Sequence, residues 1–212
     1  MIELRGVRKA LGGVVVIDGV SLSVRPGECV VMTGDSGAGK TTLLRVIAGL
    51  DSPQAGSVWL RGEDATGKQP HERALGFQFQ EAALWPHMSL FDNVAFGGAG
   101  AASRATSFLD RAGLSHLATR RPAEISGGEA RRAALARALA SRRDILLLDE
   151  PLSNLQPTLR IQMAEWIRDE LRLTNAACLW VAHDPREAAG VASRTCVLAE
   201  GRLTFSEAIR SA

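Results

Sequence analysis

Apolar positions recur in two rhythms along this chain. Short β-rich runs come first, at Ile2–Leu4, Val14–Ile17, Ser21–Val24 and Cys29–Met32. Turn signals at Gly12-Gly13 and Pro26-Gly27 separate them. The rhythm becomes helical over Thr41–Leu50, where Leu43, Leu44, Ile47 and Ala48 line one side, Gly49 suits the stop and Pro53 follows. Residues 81–142 are alanine-rich and helical in pattern, broken at Pro86 and Pro122. Strand–helix alternation then resumes: strand Ile145–Leu148, helix Leu159–Leu171, strand Ala177–Ala182, helix Arg186–Ala192 and strand Cys196–Leu198. Leu159, Met163, Trp166, Ile167 and Leu171 fall at helical spacing, a stripe that reads as core. Apolar strands alternating with helices predict an α/β chain with a mostly parallel sheet covered on both faces.

Composition narrows the class without naming a function. The 212 residues are 46% hydrophobic and 23% charged, which excludes a disordered, collagenous or coiled-coil chain. A net charge of +2 gives no strong pull towards nucleic acid. The one dense basic stretch, Arg131-Arg132 through Arg142-Arg143, is broken by alanines and leucines and reads as a helix with a solvated face. The longest strictly apolar run, Ala176–Ala182, is far short of the roughly 18 residues a bilayer needs. The N-terminus lacks a signal-peptide pattern. A cytoplasmic location is expected, with any work on a membrane done through a partner. Cys29, Cys178 and Cys196 are scattered in strand-like runs and read as reduced core thiols.

The chemistry is carried first by Gly34–Thr42. Gly34-Asp35-Ser36-Gly37-Ala38-Gly39-Lys40-Thr41 fits the phosphate-binding pattern GxxxxGK[ST], with a strand before it and a helix after it. Glycines let successive backbone N–H groups turn towards phosphate oxygens, and the helix adds its positive end. Lys40 is expected to reach the β- and γ-phosphates, and the Thr41 hydroxyl to ligate Mg²⁺. Alone, the loop indicates only a nucleoside triphosphate. Asp149 ends the buried run Ile145–Leu148, where a carboxylate reaches Mg²⁺ through water. Glu150 follows and is placed to polarise the attacking water as general base.

Ile125-Ser126-Gly127-Gly128-Glu129 opens a helix over Ala130–Ser141, with Ser126 able to cap it. This segment resembles the LSGGQ signature of ABC ATPases, departing at Ile125 and Glu129. Three more segments are similar to that family in order. Phe77-Gln78-Phe79-Gln80 looks like its Q-loop, Ser153-Asn154-Leu155-Gln156 like its D-loop, and Val181-Ala182-His183-Asp184 like its switch-histidine segment. Gln156 replaces the usual final acid of the D-loop.

The resemblance covers essentially the whole chain and implies a P-loop NTPase (RecA-like) fold. One ABC ATPase domain would span 1–212. Its core would be residues 1–80 and 143–212, with an N-terminal antiparallel β subdomain, and a helical subdomain would be inserted at 81–142. It implies that Gln80 contacts Mg²⁺ and the attacking water, and that His183 reaches the γ-phosphate. It further implies that two cassettes pair head to tail, most simply as a homodimer. Each ATP would then lie between one chain's phosphate loop and the other's Ser126, Gly127, Gly128 and Glu129. The family usually places an aromatic residue to stack on adenine, and the aligned position is Leu11. The stretch Glu81–Gly97 closely resembles importer ATPases, in which it forms the groove for a transmembrane permease. Leu84, Trp85, Pro86, Met88, Leu90 and Phe91 make an apolar cluster suited to it. His87 and Asp92 carry no assigned role. An importer subunit is therefore expected, held at the inner face of the membrane by its permease and served by a solute-binding protein. An exporter or lipoprotein-release ATPase, or a soluble ABC ATPase acting on nucleic acid or ribosomes, is the alternative. The chain stops soon after Glu200-Gly201-Arg202, so no further regulatory β-domain is expected.

Overall fold

The computed structural model describes residues 1–206. The last six residues of the expected core lie outside them. The first predicted run lengthens, and the second and third merge into one strand. Strand β1 is Ile2–Leu11 and β2 is Val14–Val24, paired antiparallel from Ile2↔Val24 to Leu11↔Val14. Gly19, at φ 69°, keeps β2 continuous where two separate runs were expected. Strand β3 is Cys29–Thr33 and helix α1 is Lys40–Ala48. Helix α1 stops because Gly49 takes the left-handed conformation at φ 78°.

Two short sheet elements follow that the apolar rhythm does not announce: β4, Ala55–Leu60, with β5, Glu63–Asp64. They complete an antiparallel sheet in the order β2-β1-β4-β5. Strand β6, Gly76–Gln78, is equally short. The helical stretch then holds α2, Leu90–Ala95, α3, Ala101–Arg111, and α4, Gly127–Ala140. Strand β7 is Ile145–Asp149, α5 is Pro157–Thr174, β8 is Ala177–Val181, β9 is Arg194–Ala199 and β10 is Arg202–Ser206.

The second sheet runs β10-β9-β3-β8-β7-β6. Its strands are parallel except for the β9–β10 edge pair. The two-residue period of a strand divides its side chains between two cores. Val30, Met32, Leu147, Leu179 and Val181 pack with α1 and the antiparallel sheet. Val31, Leu146, Leu148, Cys178 and Trp180 pack with α2–α5. The cysteines are free and buried. Among the described residues no helix is long and apolar enough to cross a membrane.

Three expectations need correction. Arg186–Ala192 is not a helix: only a 3₁₀ turn forms over Pro185–Ala188, because Ala189 leaves the helical region at ψ 132° and Gly190 has φ 76°. Helix α4 lacks a solvated face along its second half, since every residue from Ala133 to Ala140 is buried, Arg137 included. The apolar cluster after Gln80 divides. Leu90 is core, with Leu84 and Phe91 packed against it, while Trp85 is exposed.

Candidate functional site

Four adjacent parallel strands deliver the site from their carboxyl ends. Strand β3 runs into the glycine-rich loop and Lys40. Next to it, β8 runs on to His183, β7 ends on Asp149 with Glu150 following, and β6 leads to Gln80. Parallel neighbours put all four ends on one edge, where α/β sheets bind ligands.

The loop is sterically committed. Gly34 has φ 148° and Gly39 φ 96°, and a Cβ on Gly39 would lie 2.7 Å from the Val16 carbonyl oxygen. A Cβ on Gly34 would run into the Leu198 carbonyl. Lys40, buried at the start of α1, donates from Nζ to the carbonyls of Gly34 at 2.7 Å and Asp35 at 2.8 Å. Its ammonium is thereby held over the loop rather than in solvent.

Asp149 is 1% exposed, and neither carboxylate oxygen has a hydrogen-bond partner of ordinary geometry among the described residues. Burial raises its pKa above the ordinary carboxylate value. The Glu150 charge adds to that, and Thr41 and Lys40 beside it oppose. A buried carboxylate compensated only in part by its neighbours is costly unless a further cation meets it. The pair of a carboxylate and the Thr41 hydroxyl suits Mg²⁺, a hard ion that takes oxygen ligands. Among the described residues no group of three or more His, Cys, Asp or Glu could hold a metal.

Glu150 is 8% exposed and takes the left-handed conformation at φ 51°, uncommon for a residue with a Cβ and frequent at functional sites. Its Oε1 lies 2.9 Å from His183 Nε2, and its Oε2 accepts from Gln80 Nε2 at 3.2 Å. Three of the sequence candidates thus meet in one cluster. An open cleft of about 390 Å³ joins them to Ser36, Gly37, Gly39, Lys40, Thr41 and Thr42. Leu11, 47% exposed, and Val16 line it as well, and both are aliphatic.

Ser126, Gly127, Gly128 and Glu129 are not on that cleft. They form the N-terminus of α4, where the Ser126 hydroxyl accepts from Glu129 N–H and the Glu129 carboxylate accepts from Ser126 N–H at 2.7 Å and its Oγ at 2.8 Å. The Ser126 N–H, then its hydroxyl, hold the Glu129 carboxyl below the usual carboxylate range. Nothing within 4 Å would crowd a Cβ on Gly127 or Gly128. The chain's own packing does not require glycine there. Gln156 is the N-cap of α5 and makes no side-chain cap bond, a loss relative to an aspartate at that position.

Several residues escaped sequence reasoning. Val16 reaches the cleft from β2, and no local pattern marks it. Arg131 donates to the Ser153 hydroxyl at 3.1 Å, and Ser153 donates to the Glu150 carbonyl at 3.0 Å, tying α4 to the loop after β7. Asn93 is fully buried and holds the Trp85 segment. No local pattern marks it, since Asp92 beside it is equally polar.

A protein-family model described as ABC transporter matches residues 17–153. The chain is 44% identical over 213 residues to a sulfate/thiosulfate import ATP-binding protein of Bradyrhizobium diazoefficiens, covering 95% of this chain and 62% of that one. Its counterpart in Chromobacterium violaceum is also 44% identical, with 95% and 60% covered. The chain therefore spans about three-fifths of the length of the curated relatives it matches. Among solved structures, a dimeric post-hydrolysis state of an ATP-binding cassette bound to ADP and phosphate superposes with a TM-score of 0.89 at 28% identity, over 100% of both chains.

Proposed function

This chain belongs to the ABC transporter family, and on that premise we propose that it binds ATP and hydrolyses it to power a membrane importer. The observation that carries the proposal is the single cleft in which Lys40, Thr41, Gln80, Glu150 and His183 gather, with Asp149 buried beside Thr41. The relatives named for sulfate and thiosulfate import make a small oxyanion the first cargo class to test.

Residues of the chain divide the work. Loop N–H groups and Lys40 bind and orient the phosphates. Thr41, Asp149 and Gln80 would hold Mg²⁺, which supplies charge neutralisation on the phosphate oxygens. Glu150 accepts the proton of the attacking water, kept in place by Gln80 and His183 on its two oxygens. The catalytic reading of these three side chains rests on that geometry. In the adenine region Leu11 offers apolar contact without stacking.

The site is one-sided, and a second copy is the natural wall. The uncrowded Gly127 and Gly128 at the N-terminus of α4 suit an anion brought by another chain. We assign residues 81–142 to a helical subdomain and the remainder to the ATP-binding core. A separate groove of about 540 Å³, lined by Leu50, Leu75, Phe77, Phe79, Trp85 and Phe96, suits an apolar element of a permease. Binding there would place the chain at the cytoplasmic face, with a solute-binding protein acting through the permease.

Phosphate release from Mg-ATP by the purified chain tests the reading. Lys40→Ala and Glu150→Gln should each lower turnover by about 10²-fold or more. A wild-type chain that binds ATP without releasing phosphate, alone or with a permease, would sink it.

A further inference from the structure

Arg137 lies in the middle of α4 and is 7% exposed, and no carboxylate pairs with it among the described residues. Its Nη1 donates to the Ala83 carbonyl at 2.9 Å and its Nη2 to the Ala82 carbonyl at 3.4 Å. The guanidinium also lies 4.6 Å from the centroid of the Trp85 ring. Burial lowers its pKa to about 10, so it stays cationic at neutral pH. An apolar side chain would fill this place at lower desolvation cost. What the guanidinium adds is a forked grip on two successive carbonyls.

Those carbonyls belong to the segment between cleft and groove. At one end Gln80 donates to Glu150. At the other, Trp85 packs on Phe96 at 4.7 Å and lines the groove. The intervening turn is strained: Ala83 has φ 43°. Asn93 fixes the far side, accepting from Trp85 N–H at 2.8 Å and donating to the Ser89 carbonyl at 2.9 Å. Gly97 brings the end of α2 against the same point of α4, where a Cβ would lie 2.7 Å from the Arg137 carbonyl oxygen.

We propose that Arg137 is a positioning residue for ATP hydrolysis: by clamping the Ala82–Ala83 turn it makes Trp85 in the groove and Gln80 in the cleft move as one piece. The inference rests on the cleft being a hydrolytic ATP site. Occupation of either place is then felt at the other through one side chain on the helix that carries Ser126.

The test uses the whole chain in two assays. In the first, Arg137→Gln lowers kcat for Mg-ATP about tenfold or more while KM stays within about twofold, and Arg137→Lys, which keeps the charge but not the fork, recovers only part of the rate. In the second, Trp85 emission is followed as Mg-ATP is added to the Glu150→Gln chain, with Trp85→Phe identifying its share of the signal. Arg137→Gln abolishes the Trp85 response while ATP binding by equilibrium dialysis persists. A folded Arg137→Gln chain that keeps both its rate and its Trp85 response overturns the proposal. So does a parent chain whose Trp85 emission ignores ATP. If Arg137→Gln does not fold, Arg137→Lys decides: one fewer contact should weaken the Trp85 response, and an unchanged response counts against the clamp. A parent chain that binds ATP without hydrolysing it sinks the ATPase reading, while the Trp85 assay still judges Arg137.

Discussion

At the scale of single residues, two side chains set how this chain departs from neutral packing. Asp149 is a buried carboxylate with a raised pKa. An acid whose folded pKa lies above its unfolded value favours folding when protonated, and that contribution is lost as pH rises through the folded pKa. At neutral pH the unliganded chain therefore bears the cost of a buried charge that Thr41 and Lys40 offset only in part. Asp149→Asn should raise the melting temperature of the nucleotide-free chain at pH 7, by about 2–4 °C for each 1 kcal/mol relieved. The gain should shrink as pH falls towards the ordinary carboxylate range, and Mg-ATP hydrolysis should disappear. A scanning fluorimetry series over pH checks the sign; destabilisation at pH 7 would mean the charge is compensated without a cation. Leu11 is the second case. It is an exposed aliphatic side chain, and on the proposed reading it takes the place an aromatic ring would need to stack on the base. Stacking adds about 0.5–1.5 kcal/mol beyond burial, and about 1.4 kcal/mol is a factor of ten. Leu11→Tyr should tighten ATP binding by about two- to tenfold in calorimetry, with the phosphate contacts unchanged.

At the scale of elements, the β3–loop–α1 unit is the most sharply specified. Gly34 combines φ 148° with an approach to the Leu198 carbonyl that leaves no room for a Cβ. Gly34→Ala should cost about 1–3 kcal/mol in chemical denaturation and weaken ATP binding at least about tenfold; a stable variant of unchanged affinity would contradict the observed loop path. This unit was legible because its residue types answer one chemical demand at fixed spacing. The Ile145–Asp149 strand was legible for a related reason: an unbroken apolar run has few alternatives when an acid ends it. Strands β4 and β6 left no such mark. Alternation in Ala55–Leu60 is partial, and Gly76–Gln78 is too short to show a period. The Arg186–Ala192 segment misled because a helical pattern of side chains does not reveal Gly190 at φ 76°. Arg137 misled in the opposite direction. A basic residue among alanines suggests solvent, and only tertiary contact with Ala82, Ala83 and Trp85 shows why it is inside. The position of Asp149, Glu150 and His183 on one edge could be argued from strand ends, but their meeting with Gln80 depended on the order β3-β8-β7-β6.

At the scale of the whole molecule, the two segments proposed to hold one nucleotide do not share a cleft. The cleft holds the glycine-rich loop on one side and lies open on the other, while Ser126 and its neighbours line no part of it. On the proposed reading one chain would complete a site only by meeting another, and a two-fold arrangement would complete both sites at once. ATP would then act as the bond between two polar faces, and its loss on hydrolysis would open them. Glu150→Gln removes the base yet keeps side-chain oxygen and nitrogen where Gln80 and His183 meet Glu150. With ATP and Mg²⁺ that variant should migrate at twice the monomer mass on size exclusion, and without nucleotide as a monomer. Adding Ser126→Ala should return it to monomer, because the lost hydroxyl belongs to the partner's site rather than its own. That second step separates the trans arrangement from a nucleotide-induced dimer of another geometry. If the double variant still dimerises as well as Glu150→Gln alone, Ser126 lies outside the interface. If Glu150→Gln stays monomeric with bound Mg-ATP, closure needs the permease to bring the two chains together.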